Sequence, residues 1–422
     1  MASEETMTIH ERHKYLRIKQ KQYKQANKTG KQQLLSEMET VTGLHRKSLI
    51  RLMNSAIQKK ERRKQRGPTY GPDIQYALEV ISHSHDHICA ERLQPNLIRM
   101  AEHLHAHEEL ELTPSMLGKL ETISVSTVRR MLQKAPEKTR HRPRKQPKQR
   151  NQLSRAIPAR RIPWDEKVPG HFEVDMVWHS GAAASGEFVH SLQMIDVTTG
   201  WSERVATLGR SYRVMEDGFK RILTRLPFPV KEIHPDNGSE FLNNHLVRFW
   251  KEVARGVELS RSRPWQKNDN RFVEQKNDSL IRAYFGNERL DTVDQTNLLN
   301  HIYDRMWLFY NFFQPVMRLK EKIVTPVPGS HSKTKRIFDV SKTPFDRLCE
   351  AGVFSPAQIE ELETIRQATN TRQLIDEIYA LIDRLFALPN ARKGVPENVH
   401  DTLLYPFRLR EEEVSSVTLS ND

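Results

Sequence analysis

Apolar positions in the first third of the chain recur at helical spacing, in stripes separated by turn-forming residues. Two stripes lie on either side of the pair Thr42-Gly43: Leu34, Leu35, Met38 and Val41 before it, and Leu44, Leu49, Leu52 and Met53 after it. A further pair of helices is indicated by Thr113-Pro114, an N-cap followed by proline, and by the segment 127–132. This pattern predicts two helix–turn–helix modules within residues 1–135.

The middle of the chain changes from helical spacing to alternation. Three strands are predicted at 172–178, 187–197 and 201–208, with a hairpin turn at 198–200. After them the pattern predicts, in order, a helix at about 212–226, a strand at 230–234, a helix at about 243–255, a strand at 257–260 and a helix from about 268. Strands followed by alternating helices and strands indicate a mixed α/β sheet of five strands.

The last region is predicted to be mostly helical. A basic, proline-bearing stretch at 314–344 shows no strand pattern, and helices are predicted at 355–368 and 372–388. We interpret these two helices as an assembly or coiled-coil element. The aromatic run from Tyr303 to Phe313 has helical spacing, which favours packing against the sheet over stacking with nucleic-acid bases.

Composition narrows the class of protein. A length of 422 residues indicates several domains, at roughly 100–200 residues for each. The formal net charge of +14 favours a polyanionic partner, with nucleic acid the first expectation. Two cysteines, Cys89 and Cys349, exclude a disulfide scaffold, and no apolar run is long enough to span a membrane.

Runs of basic residues mark the boundaries between regions. Segment 138–161 has ten Lys/Arg and no acidic residue, and segment 59–66 is followed by two Gly-Pro pairs. Such segments cannot bury apolar area, so they read as linkers that follow phosphates. The predicted division is 1–66 and 67–137 for the two helix–turn–helix modules, 138–164 for the linker, 165–313 for the α/β core and 314–422 for the C-terminal region.

Three acidic residues lie where an enzyme would place them. Asp175 is inside the first apolar strand, Asp236 ends the fourth strand, and Glu274 lies on the last predicted helix of the core, 38 positions after Asp236. A carboxylate inside an apolar strand is costly unless it is paired, protonated or bound to metal. Oxygen ligands from two strands and a helix suit Mg²⁺ or Mn²⁺, and two such ions can serve phosphodiester displacement.

The motifs FEVDMV, HPDNGSEF and RPWQKNDNRFVEQKN, in the order of these acids, resemble the DDE integrases and transposases. Within that superfamily, the chain is most similar to bacterial insertion-sequence transposases with an integrase-type core, over about residues 165–325. The resemblance implies a ribonuclease-H-like fold, with Asp175, Asp236 and Glu274 as ligands of two Mg²⁺ or Mn²⁺ ions. It also implies metal-dependent strand cleavage and strand transfer by a 3′-hydroxyl.

Double-stranded DNA, as terminal repeats and as target, is the expected partner of an intracellular, nucleoid-associated bacterial protein. Joining two ends requires two active sites, so a homodimer or larger assembly is expected. The predicted DNA contacts are Arg46, Lys47, Arg51, Arg129, Arg130, Arg142, Arg144, Lys145, Lys267, Asn270 and Lys276. Lysine one helical turn after the glutamate is common in retroviral-type cores, but here that position is Asp278.

Several alternatives stay open. Glu173 shares a strand face with Asp175 and competes for the role of first ligand. Asp196 reads as a hairpin cap, and His179 as a structural histidine at a strand end. The alternating histidines around Cys89 and at 103–107 invite a zinc site, but their spacing favours surface histidines. The rival functions are a nuclease that cuts without joining and a DNA-binding regulator derived from a transposase.

Overall fold

A computed structural model gives the structure of the chain. It describes residues 7–57, 69–133, 162, 166–182, 185–235, 241, 248–250, 256–263, 270–325, 333–392 and 394–404. The chain divides into two compact units, Met1–Thr69 and Tyr70–Asp422. In the part of the chain that is described, no helix has the length and apolarity needed to cross a membrane.

The described residues of the first unit form three helices: α1 Ile9–Gln25, α2 Lys28–Thr42 and α3 Arg46–Met53. Gly43 ends α2 in the left-handed conformation, with φ +65°, which a residue without Cβ adopts most easily. The small core of this unit is formed by Leu16, Tyr23, Leu35, Met38, Leu49, Met53 and Ile57. Of the predicted stripes, Leu35, Met38, Leu49 and Met53 face this core, whereas Val41 is 42% exposed.

The second unit begins with five helices: α4 Pro72–Ser84, α5 Ala90–Leu93, α6 Leu97–Ala106, α7 Pro114–Thr122 and α8 Val125–Leu132. The Thr113 hydroxyl accepts a hydrogen bond from the Met116 N–H, as its predicted role as N-cap requires. Buried residues from Ile74 in α4 to Leu385 near the C-terminus belong to one hydrophobic core. The helices before the basic linker thus share a core with the residues after it, and the five-part division stays a prediction.

The sheet of the second unit has five strands: β1 His171–Trp178, β2 Val189–Asp196, β3 Ser202–Leu208, β4 Glu232–Pro235 and β5 Glu258–Leu259. Their order is β3-β2-β1-β4-β5. β1, β2 and β3 are antiparallel neighbours, whereas β4 runs parallel to both β1 and β5. The predicted mixed sheet of five strands is confirmed, and its order is consistent with a ribonuclease-H-like core.

The two faces of this sheet are covered differently. Helix α9, Tyr212–Arg225, packs on one face, where Gly218 lies against Leu192, Val205 and Thr207. The opposite face is covered by helix α10. It starts as Arg271–Lys276, continues as a π-helix over Asn277–Arg282 and ends with the turn Ala283–Phe285. A π-helical segment shifts the side chains that follow it around the helix axis.

Helix α11, Val293–Leu308, continues as a π-helical turn, Phe309–Phe313, and runs along the free edge of β3. The Asn300 side chain bonds both the N–H and the C=O of Ala206, at 2.8 and 2.9 Å. The Asn311 side chain does the same for Ser202, at 2.9 and 3.0 Å. Two asparagine amides therefore pair with the edge of β3 as a neighbouring strand would. The aromatic run at 303–313 is largely buried, as predicted.

The C-terminal region contains an antiparallel pair of strands, β6 Leu319–Thr325 and β7 Lys333–Phe338, where the sequence showed no strand pattern. In the residues described after β7, three α-helices follow, α12 Pro344–Glu350, α13 Pro356–Ala368 and α14 Thr371–Ala387, and then a 3-10 turn, Val399–Thr402. The second and third match the predicted pair to within a residue or two. The apolar residues of α14 are buried in the core of this unit, next to α4 and α11. Its apolar face is therefore covered within the chain.

Candidate active site

Asp175 lies in the middle of β1 and faces helix α10. One carboxylate oxygen, Oδ1, accepts the N–H of the next residue, Met176, at 2.8 Å. The other, Oδ2, accepts a hydrogen bond from the Asn277 side-chain amide at 2.7 Å. Because Asn277 belongs to α10, this contact fixes the helix against the strand at the position of the acid. The strand that bears Asp175 and the helix that bears Glu274 are thus adjacent.

Glu173 lies on the same face of β1, two residues before Asp175, and is completely buried. Its Oε2 accepts the N–H groups of Phe272 and Val273 at 2.7 and 3.0 Å, in the first turn of α10. Burial raises the pKa of Glu173 to about 7, and these two N–H bonds oppose that rise. Glu173, which competes with Asp175 for the role of first ligand, therefore caps the helix that bears Glu274 with Oε2, while its Oε1 is buried without a hydrogen-bond partner.

Glu274 is exposed on α10, three positions before Asn277. Residues three apart lie on the same side of a helix, so Glu274 and the amide that holds Asp175 are neighbours on α10. Asn270, one turn before Glu274, is buried, and neither polar atom of its side chain has a hydrogen bond. Asn270 and Glu274, which were predicted to share a face of the helix, therefore differ in burial: Asn270 is in the interior and Glu274 is exposed to solvent.

Asp236 and Lys267 lie outside the described residues. The described part of β4 ends at Pro235, which is registered with Val174, the residue before Asp175. Farther back in β4, His234 is buried and shares a hydrogen bond of 2.6 Å with the Ser260 hydroxyl. The Glu232 carboxylate accepts from the same hydroxyl at 2.5 Å. Buried polar contacts therefore hold the end of β4 beside β5.

Next to Asp175, the same face of the sheet continues with polar side chains. Asp175 is registered with Gln193 in β2, and Gln193 with Arg204 in β3. Arg204 is buried, with its guanidinium 5.0 Å from the centre of the Tyr310 ring. Burial lowers the pKa of Arg204 to about 10. None of the nitrogen atoms of this guanidinium has a hydrogen bond, so the Tyr310 ring is a main contact of the cation.

Lys276 is half-buried on α10. Burial, followed by the nearby charges of Arg318, Arg92 and Arg204, lowers its pKa to about 7. It was expected to contact the DNA backbone from a separate face of the helix, and that role remains a prediction.

The residues that were interpreted as structural have structural contacts. The Asp196 carboxylate accepts the Gly170 N–H at 2.8 Å and the Thr199 N–H at 2.7 Å, which closes the hairpin as predicted. His179 is buried, shares a hydrogen bond of 2.7 Å with the Ser191 hydroxyl, and has its pKa lowered by burial to about 3. Both residues therefore stabilise the sheet beside the site.

The histidine clusters were expected to lie on the surface, but they do so only in part. His85 is 1% exposed, and burial lowers its pKa to about 3. His103 and His107 contact the backbone carbonyls of Thr369 and Gln367, each at 2.9 Å. Among the described residues, no group of three or more His, Cys, Asp or Glu side chains is arranged to hold a metal ion. Asp236, one of the three predicted ligands, is not among those residues.

The predicted DNA contacts of the helical regions differ in their surroundings. Lys47, Arg51 and Arg130 are exposed. Arg46 is half-buried and donates to the Ser36 hydroxyl at 3.0 Å, and Arg129 pairs with Glu91. The contacts of Arg46 and Arg129 within the protein give each a structural partner. Arg142, Arg144 and Lys145 lie outside the described residues.

The oxygen atoms beside Asp175 fit a hard divalent cation in their chemistry. Oε1 of Glu173, in β1, and Oδ1 of Asn277, in α10, are buried without a hydrogen-bond partner. Carboxylate and amide oxygens are ligands that Mg²⁺ and Mn²⁺ accept. Asp175 and Glu274 supply anionic oxygen atoms on two adjoining elements.

The chain was compared with known proteins in sequence and in structure. No protein-family model matches it. In structure it is similar to the catalytic core domain of BIV integrase, with 12% identity and a TM-score of 0.28, over 43% of this chain and 95% of that one. A likeness of that size supports no inference about activity. The chain is 33% identical over 301 residues to the uncharacterized protein y4rM of Sinorhizobium fredii, covering 71% of this chain and 85% of that protein. The chain therefore belongs to the same family as y4rM.

Proposed function

We propose that the protein is a DNA transposase that cuts at the ends of an element and joins its 3′-hydroxyl ends to target DNA. The observation that supports this most is the docking of α10 on the polar face of β1. Asn277 bonds Asp175, Glu173 caps the helix, and Glu274 lies one turn into it. The helix and strand that bear two of the three acids are thereby fixed to each other.

Asp175, Asp236 and Glu274 would hold two Mg²⁺ or Mn²⁺ ions. When bound, such ions supply Lewis-acid stabilisation of the attacking and leaving oxygens of a phosphodiester. The chain's own residues provide the anionic oxygens and their rigid placement. Glu173 and Asn277 touch no reacting atom in this proposal and act as positioning residues, because they hold α10 at β1 through three hydrogen bonds.

Recognition of the element ends is assigned to the helices before the core. Lys47 and Arg51 are exposed on α3, the helix after the Gly43 turn, and Arg130 is exposed on α8. A helix that follows a tight turn and presents basic side chains can enter the major groove of DNA. Two ends must meet at one target, so we propose that the protein acts as a dimer or larger assembly on DNA.

A strand-transfer assay tests this function. Purified protein is incubated with Mg²⁺, a plasmid and pre-cleaved duplexes whose sequence comes from the DNA that flanks the gene. Joined products are expected from the wild type and are expected to be lost with Glu274→Gln. The matched control is Asp294→Asn, which neutralises an exposed carboxylate at the start of α11.

Three other outcomes would contradict the proposal. Cleavage of intact ends without any joining of pre-cleaved ends would make the protein a nuclease. Binding of the duplexes with neither reaction would make it a DNA-binding regulator. Full joining by Glu274→Gln would remove that residue from the metal site.

A further inference from the structure

The antiparallel pair β6–β7, which we call the ribbon, lies in water on both faces. Side chains alternate between the two faces of a strand. Glu321, Ile323 and Thr325 on one face of β6 are exposed, and so is Lys320, which lies at a shift in the strand register before Glu321. In β7, Lys335 and Arg336 are neighbours that point to opposite faces, and both are exposed. An isolated pair of strands without a covering layer is only marginally stable in water, so the ribbon contributes little to the stability of the fold and calls for a functional explanation.

The charge of the ribbon is strongly one-sided. Its two strands contain five Lys/Arg and one acidic residue, Glu321. The side chains of Lys320, Lys335 and Arg336 are exposed. None of the three forms an ion pair within the described structure. Cationic side chains on both faces of a narrow element suit a polyanion that surrounds it on two sides, as the walls of a DNA groove do.

The base of the ribbon is fixed firmly. Asp339, just after β7, accepts the Arg318 N–H at 2.6 Å and an Arg347 guanidinium N–H at 2.7 Å. Arg347 also donates to the carbonyls of Val316 and Val340, at 3.0 and 2.9 Å. Both ends of the ribbon are thus tied to α12, and the free strands project from a rigid base.

The same base touches the candidate active site. The Arg318 guanidinium donates to the Asp196 carbonyl at 2.9 Å and lies 4.7 Å from the centre of the Phe272 ring. Phe272 is in the first turn of α10, where its N–H is bonded by Glu173, and it lies two residues before Glu274. Arg318 therefore connects the start of the ribbon to the start of the helix that bears the acid.

From these contacts we infer that the ribbon binds double-stranded DNA and inserts into a groove next to the candidate active site. The identity of the polyanion as DNA rests on the proposed function. The major groove of DNA is about 12 Å wide and admits a two-stranded ribbon. The seven residues of β6 extend about 24 Å along the strand, at about 3.4 Å per residue, so the ribbon can reach along such a groove. Lys320, Lys335 and Arg336 contact phosphates, and the exposed Ile323 and Phe338 contact the groove or sugar surface.

A second copy of the chain is the other candidate for this surface, since the outer edges of a strand pair can take part in further pairing. Edge-to-edge pairing of two ribbons would place their lysines and arginines side by side. Exposed Lys on edge strands is a common device against such pairing. The charges therefore favour DNA over a copy of the same ribbon.

The test compares two triple variants of the full chain that lose equal charge. The ribbon variant is Lys320→Gln, Lys335→Gln and Arg336→Gln. The control variant is Lys231→Gln, Arg384→Gln and Arg392→Gln, three exposed cations of the same unit outside the ribbon. Binding to duplex DNA from the flanks of the gene is measured by fluorescence anisotropy in EDTA, so that nothing is cut, between about 50 and 200 mM salt.

The ribbon variant is expected to bind more weakly, and its slope of log K against log salt should be shallower than that of the wild type by about 3, one for each lost phosphate contact. The control slope should change by less than about 1. Equal slopes for wild type and ribbon variant would overturn the ribbon's role and leave the proposed function standing. Equal losses in both variants, or a changed oligomeric state with unchanged DNA binding, would also overturn it. A wild type that binds no duplex would contradict both proposals.

Discussion

The two faces of the central sheet are held by opposite kinds of interaction. On the face under α9, the strands contribute apolar side chains such as Val174, Leu192 and Met194, all completely buried. On the face under α10, the corresponding positions include Glu173, Asp175, Gln193 and Arg204. Helix α9 is therefore held by non-directional burial. The first turns of α10 are held by hydrogen bonds with defined geometry, whereas its later residues, such as Leu280 and Ile281, are buried in the core.

This difference explains where chemistry can be placed. Apolar contacts tolerate small shifts, but they cannot bind an ion or orient a carboxylate. Three hydrogen bonds of 2.7 to 3.0 Å fix α10 to two carboxylate oxygens of β1, one from Glu173 and one from Asp175. The α9 face contributes mainly to the stability of the fold, and the α10 face fixes the positions of the acidic side chains. Substitutions on the two faces should therefore separate activity from stability.

The largest effect is expected from Asp175→Asn. The variant removes an anionic oxygen and leaves one acceptor for two donors, the Asn277 amide and the Met176 N–H, so stability should fall by only about 1 kcal/mol. Strand transfer should fall by at least about a thousandfold, or ~4 kcal/mol of transition-state stabilisation. Thermal unfolding and the joining assay measure the two quantities on one preparation. Unchanged joining would mean that the polar face has no catalytic role.

Leu192→Ala on the opposite face should show the reverse. Leu192 is completely buried beneath Gly218 of α9, so its truncation should lower the free energy of unfolding by about 2–5 kcal/mol. The fraction of protein that stays folded should keep its joining activity. Leu404→Ala, at a leucine that is 60% exposed, is the matched control for denaturant unfolding. A loss as small as in that control would show that α9 is not held by burial.

His179, on the polar face, should make the protein sensitive to acid. Its pKa is lowered to about 3 in the folded protein, so between about pH 6.5 and pH 3 the unfolded chain binds a proton that the folded chain does not. Stability is therefore complete above this window and is lost as the pH falls. From about pH 7 to pH 5 the loss through His179 should be about 2 kcal/mol.

The comparison that isolates this effect is unfolding of His179→Gln at both pH values, with His301→Gln at an exposed histidine as the control. The first variant should lose less stability on acidification than the wild type does, and the second should match the wild type. Other buried histidines, such as His85, remain in both. If His179→Gln and the wild type lose stability equally, His179 is not the residue that titrates.

The smallest change in joining activity is expected at Glu173, where two substitutions distinguish a helix cap from a metal ligand. Glu173→Gln keeps an oxygen that accepts the Phe272 and Val273 N–H groups, and joining should stay within about threefold of the wild type. Glu173→Ala removes both bonds, and joining should fall about tenfold, or ~1.4 kcal/mol. Joining rates at saturating Mg²⁺ measure this difference. A loss with Gln as large as with Asp175→Asn would identify Glu173 as a metal ligand.

Much of the second unit could be predicted because its signals are local. Alternation gave the three strands before α9 to within about two residues, and the caps at Thr113 and Ser355 mark helix starts in the sequence itself. Asp196 could be assigned to the hairpin because the turn lies three residues away. Each of these features depends on neighbours in sequence, and a pattern can report on them.

The features that were missed depend on residues far apart in the chain. Glu173 binds N–H groups about 100 positions later, and no local pattern distinguishes such a cap from a ligand. β6 and β7 escaped prediction because both faces are in water, so the strands lack the alternation that burial imposes. Acidic residues inside an apolar strand indicated the polar face, but the partner of each acid could not be inferred.

The pairing of Asn300 and Asn311 with β3 limits how copies of this protein can associate. At Ala206 and Ser202, the hydrogen-bonding groups that a new strand would need are already taken by side chains from a helix. A strand from a second molecule therefore cannot add to the sheet at the edge of β3. Loss of these amides would expose unpaired backbone N–H and C=O groups at the edge of β3. The first consequence would be fibre formation by pairing between molecules, before any loss of catalysis.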